Sequence, residues 1–119
     1  MAQMLVHVHT GPENPTKAAL GLLVALTGLR EGHAVTLFLA GDAVHLLSPD
    51  HADVTGTGTG RVGDHLAGLK EAGASFLLSG MSAKARGYDD TLLAGYDARF
   101  AMPDALVAQA VSADTVLCY

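Results

Sequence analysis

The chain has 119 residues, 50% of them apolar and 16% charged, with seven Lys or Arg against twelve Asp or Glu for a formal charge of −5. That composition supplies a core for one domain over residues 1–119 and carries too little charge for a disordered tail. No segment gathers basic residues densely enough to neutralise a phosphate backbone, so direct nucleic-acid binding is not expected, and the single cysteine, Cys118, excludes an internal disulfide and suits a reducing, cytoplasmic setting.

Met1 to Thr10 lacks the basic start and cleavage signal of an export peptide. It reads instead as a first strand, Gln3 to His9, stopped by the turn Thr10-Gly11-Pro12. Asn14 before Pro15 pairs an N-cap acceptor with a preset first-turn φ, which predicts a helix from about Pro15 to Glu31, closed by Gly32. Its apolar stretch, Ala18 to Leu29, is shorter than the ~20 residues needed to cross a bilayer, so no membrane partner is expected. Ala34 to Ala40 is almost continuously apolar, as in a strand covered on both faces. Gly41-Asp42 turns the chain, and Val44, Leu46 and Leu47 suggest a short helical piece ended by Ser48-Pro49.

Asp53 to Gly60, with three glycines alternating with threonine and no apolar anchor, reads as a flexible surface loop. Val62, Leu66 and Leu69 fall at helical spacing, giving a helix over about Arg61 to Ala72 with Gly73 past its end. A strand follows at Ser75 to Leu78, then a short helix from Ser82 to Arg86 and a helical turn around Asp89 to Leu93. Ala98 to Met102 is a fourth strand, Pro103-Asp104 opens a helix to about Ser112, and Thr115 to Tyr119 is a terminal strand.

Strands separated by helices of this length connect by right-handed crossovers, which predicts a three-layer α/β/α domain on a mostly parallel, five-stranded sheet. In such open sheets ligands collect outside the carboxyl ends of the strands. The segments His9 to Asn14, Gly41 to His45 and Ser79 to Gly87 are therefore the candidate site, with Gly11, Asn14, Asp42, Ser79, Gly80, Ser82 and Arg86 as candidate ligand-binding residues.

Around Ser79 to Gly87, hydroxyls, free N–H groups, Lys84 and Arg86 surround a helix start, an arrangement suited to a small anion. The plainer expectation is that Ser82 caps the helix while Lys84 and Arg86 point to solvent. Asp42 could hold a ribose or substrate hydroxyl, but Gly56, Gly58 and Gly60 do not form a dinucleotide fingerprint, and no cofactor is expected. His7 and His9 alternate along the first strand and share a face; with His45 or His33 they are weak candidates for zinc or nickel, and no metal is expected. His51 and His65 read as surface residues. Cys118 reads as a small buried apolar residue of the last strand, or else as a thiol on a mobile tail.

The opening strand with its Gly-Pro turn, the run Arg30-Glu31-Gly32-His33-Ala34-Val35, Gly41-Asp42-Ala43-Val44 and Ser79-Gly80-Met81-Ser82-Ala83-Lys84-Ala85-Arg86-Gly87 resemble, in that order, the DsrE/DsrF (YchN-like) family of sulfur-relay and tRNA-thiolation subunits. The resemblance covers nearly the whole chain and implies closed homo-oligomers, trimers or hexamers, with sulfur-relay proteins as partners. It also implies a persulfide-carrying cysteine at the end of the third strand, eight residues before the Gly of an Arg-Gly pair, and here Ser79 holds that position before Arg86-Gly87. A serine hydroxyl stays protonated near neutrality and cannot hold a persulfide. Nor does the local sequence supply a nucleophile elbow or an adjacent His that would activate it.

Overall fold

In the computed structural model, which describes residues 1–119, the strands β1 (Gln3–Val8), β2 (Ala34–Leu39), β5 (Ser75–Ser79), β6 (Ala98–Ala101) and β7 (Thr115–Cys118) form one sheet in the order β6-β5-β2-β1-β7. Every pairing in it is parallel. A separate antiparallel hairpin joins β3 (Thr55–Gly56) to β4 (Gly60–Arg61). The helices are α1 (Pro15–Arg30), α2 (Val62–Glu71), α3 (Gly80–Ala85) and α4 (Pro103–Ser112), with 3-10 turns over Gly41–Leu47, Pro49–His51 and Asp90–Leu93.

The strand order decides where each helix lies. From β1 through β2 and β5 to β6 the chain moves steadily in one direction, so right-handed crossovers return over one face. The step from β6 to β7 runs back across the whole sheet, and the same handedness sends α4 to the opposite face.

Burial follows this asymmetry. Val6, Val8, Leu37, Leu39, Phe76 and Leu78 belong to a core of 22 buried residues that also takes in Leu22 and Leu26 of α1, Leu66 and Leu69 of α2, and Ala83 of α3. The alternate positions Leu5, Phe38 and Leu77 form a core of three, covered by Leu106 and Ala110 of α4. These two sets explain why β2 reads as an unbroken apolar run: both of its faces are covered. No residue of α4 is itself fully buried.

Three expectations need correction. The glycine-threonine segment is not a flexible loop but the β3-β4 hairpin, pinned to the start of α1 because the Thr57 N–H donates to Thr16 Oγ1 at 3.0 Å and Thr59 Oγ1 donates to the Thr16 carbonyl at 3.0 Å. The short third helix begins at Gly80 rather than Ser82, so its cap is Ser79. Cys118 is exposed rather than buried, because β7 is an edge strand paired only with β1. It is also no mobile tail: the Tyr119 N–H donates to the His7 carbonyl at 2.9 Å and the His9 N–H to the Tyr119 carbonyl at 2.9 Å. No helix is long and apolar enough to cross a membrane.

Candidate functional site at the strand carboxyl ends

Helix α3 leaves the end of β5 over the main core, whereas α4 leaves the end of the neighbouring β6 over the opposite face. Adjacent strands whose following helices part in this way open the crevice in which parallel sheets bind ligands. Ser79 and Gly80 lie at that point, and Met102 Sδ sits 3.9 Å from where a side chain on Gly80 would begin.

Here the polar groups are spent on one another. The Ser82 N–H donates to Ser79 Oγ at 3.1 Å, so Ser79 satisfies a free donor of the first turn of α3. Ser82, freed from capping, accepts at Oγ the Gly41 N–H at 2.8 Å. Arg86 Nε and Nη2 donate to Asp42 Oδ1 at 3.1 and 2.9 Å, while Nη1 donates to the Ser82 carbonyl at 3.0 Å. Arg86 therefore does not point to solvent as the sequence suggested; its side chain is 28% exposed against 50% for Asp42. A ribose or substrate hydroxyl at Asp42 would have to share the carboxylate with that guanidinium.

The first segment is closed in a similar way. The Gly11 N–H donates to Glu13 Oε1 at 2.8 Å, and Asn14 Oδ1 accepts the Lys17 N–H at 3.2 Å as the cap of α1. A Cβ on Gly11 would lie 2.0 Å from the Asp42 carbonyl oxygen, so only glycine lets the turns after β1 and β2 touch. Gly11, Asp42, Ser79, Gly80, Ser82 and Arg86 thus meet at one end of the sheet, and none of them lines any of the chain's three surface cavities. Those cavities, of about 220, 370 and 400 Å³, lie under α4, beside α2 and beside α1.

One partner in this region was not legible in sequence. His45 Nδ1 and Tyr88 Oη are 2.7 Å apart, a second tie between the 3-10 turn after β2 and the chain after α3. His45 also lies 5.3 Å, ring to ring, from His51, whose Nδ1 is unpartnered, and His65 Nε2 bonds the Thr59 carbonyl at 2.6 Å; both His51 and His65 are partly exposed. His33 Nδ1 accepts the Ala2 N–H at 3.0 Å at the far end of the sheet. The four histidines weighed for a metal are therefore dispersed, apart from His7 and His9, whose rings are 5.4 Å apart, and no three His, Cys, Asp or Glu side chains gather to hold an ion. Burial, and secondarily the charge of His9, pushes the His7 pKa below the ordinary imidazole value.

The DsrE/DsrF-like family model matches residues 2–119. No curated protein matches the chain. Among solved structures, the YchN protein from E. coli is 18% identical, with a TM-score of 0.81 over 100% of each chain, a likeness of fold.

The lowered pKa of His7 has a definite sign for stability. Between its folded value and the ordinary 6.5, the unfolded chain binds a proton that the folded chain rejects, so stability is full above about pH 6.5 and falls as the pH drops through that window. Thermal unfolding between pH 7.5 and pH 5 should show His7→Phe losing less melting temperature on acidification than the wild type; equal losses would contradict the assignment.

Proposed function

Because the chain belongs to the DsrE/DsrF-like family, we propose that it is a cytoplasmic subunit of sulfur metabolism that binds or scaffolds relay partners and does not carry sulfur at the strand-end position where the family resemblance implies a cysteine in active members. One observation carries this reading: the atom at that position is Ser79 Oγ, an oxygen already accepting the Ser82 N–H. Sulfur relay needs a thiolate of lowered pKa to attack and hold sulfane sulfur, and a hydroxyl in a helix cap supplies neither the nucleophile nor the bond. The Asp42–Arg86 pair and the Ser82–Gly41 bond support a structural role for the same segment, since they lock the turns that flank it.

The scaffold acts as a homo-oligomer, a trimer or hexamer, that covers α4. Over Pro103–Ser112 the only charge is Asp104, while Val107 and Val111 are 60% and 79% exposed and Met102 is 50% exposed. A helix so poor in charge on its outer side loses little by being desolvated and gains by leaving water.

Two measurements test these readings. With Cys118 replaced by Ala, incubation with a persulfide donor and intact mass spectrometry should give no one-sulfur adduct, and adding Ser79→Cys should create one; an adduct on the Ser79 protein would overturn the proposal. Light scattering at micromolar concentration should give a closed oligomer that Val111→Lys shifts toward monomer. A wild-type monomer would refute the second reading.

A further inference from the structure

Between α2 and the 3-10 turns at Gly41–Leu47, Pro49–His51 and Asp90–Leu93 lies a cavity of about 370 Å³. Buried leucines of the main core, Leu47, Leu66 and Leu92, line it together with Tyr96, whose ring stands edge-on to Phe76 at 5.3 Å and 70°. That volume falls within the ~300–1,000 Å³ usual for small-molecule sites and holds about a dozen groups the size of a water molecule.

Two polar groups of the lining are uncommitted. Lys70 is the only charged residue on it, and the ion pairs of the chain use Arg61 and Arg86, so no carboxylate neutralises Lys70. Its ammonium stands instead 5.4 Å from the centre of the Tyr96 ring, and a side chain at Gly95 would begin 3.2 Å from Nζ. Burial pushes the Tyr96 hydroxyl above the ordinary phenol value, so the ring beside the cation stays neutral.

The second group is the hydroxyl of Ser48. The residue is only 6% exposed, and its Oγ accepts the Asp50 N–H at 3.3 Å, while its own O–H donates to no group of the protein. The other hydroxyl of the same wall is spent, because Thr91 Oγ1 donates to Asp89 Oδ1 at 2.6 Å. A buried donor left over in an apolar wall requires a reason, and an oxygen atom of a ligand supplies one.

These features together select a ligand. Inorganic phosphate would lose its hydration against leucine, and a neutral hydrocarbon would leave both Lys70 and Ser48 unanswered. We propose that this cavity binds a small amphiphilic monocarboxylate, with the carboxylate on Lys70 Nζ, the apolar body against Leu47, Leu66 and Leu92, and a ligand oxygen accepting from Ser48. The site shares no residue with the Ser79 crevice and lies on the sheet face opposite α4, so it stands apart from both readings above.

Octanoate is titrated into the assembled full-length protein and followed by backbone amide NMR shifts, with octan-1-ol as its neutral analogue. Octanoate should move the amides of Leu47, Leu66 and Leu92 and bind about fivefold more tightly than octanol, as a solvated ion pair provides. Lys70→Gln, a change at an exposed side chain in no ion pair, should erase that difference, and Ala94→Leu, which fills the cavity from its exposed rim, should abolish binding of both. Should Ala94→Leu fail to fold, Lys70→Gln decides. Equal affinity for octanoate and octanol, or undiminished octanoate affinity in Lys70→Gln, would overturn the site. So would shifts confined to α4 or to Gly80 and Ser82, or inorganic phosphate moving the same amides as octanoate.

Discussion

A short run of hydrogen bonds ties the turn after β2 to the turn after β5, and the end of the molecule where parallel sheets do their chemistry depends on it. Gly41 N–H reaches Ser82 Oγ, Ser82 N–H reaches Ser79 Oγ, and Arg86 spans from the Ser82 carbonyl to the Asp42 carboxylate. The Gly41 and Ser82 N–H groups and the Ser82 carbonyl are backbone groups that a helix start or turn would otherwise leave open, while the link to Asp42 joins two side chains. The half-exposed Asp42–Arg86 pair adds little energy of its own, since a partly solvated ion pair is worth on the order of 0–1 kcal/mol. Its value is positional: it holds the two turns against each other while His45 and Tyr88 tie them a second time.

The consequence for function is that the same geometry which in a parallel sheet gathers a ligand here gathers the protein's own groups. Ser79 occupies the crevice where α3 and α4 part to opposite faces, yet its oxygen is used for a cap. The three cavities lie elsewhere, and α4 carries Val107 and Val111 among the chain's exposed apolar side chains. Both facts direct attention from small-molecule turnover at the strand ends toward association through the thinly covered second layer. The chain's one thiol, Cys118, is exposed on the edge strand β7, in register with His7 of β1.

What sequence could and could not reveal divides along the separation of the groups involved. Asn14 before Pro15 announced α1, and the helical spacing of Val62, Leu66 and Leu69 announced α2, because both signals are local. Ser79 and Ser82 are both competent caps three residues apart, so no local rule chose between them; the choice went to Ser79 because the Gly41 N–H, 41 residues away, engages Ser82. The hairpin at Thr55 to Arg61 was invisible for the same reason, since its anchor is Thr16. The Arg86–Asp42 pair spans 44 residues and the His7–Cys118 register spans nearly the whole chain. The exposure of Cys118 followed from strand order, which places β7 at an edge, and strand order is not written in the periodicity of any one strand.

The most direct test of the account is amide hydrogen exchange at Gly41 and Ser82 in the native protein. If the hydroxyls of Ser82 and Ser79 are committed to these donors, both amides are protected, Ser79→Ala releases Ser82 alone, Ser82→Ala releases Gly41, and the amides of β1 and β2 keep their protection. Gly41 and Ser82 exchanging as freely as loop amides in the unmodified protein would show the hydroxyls to be uncommitted, and would return Ser79 to the pool of groups available for a ligand.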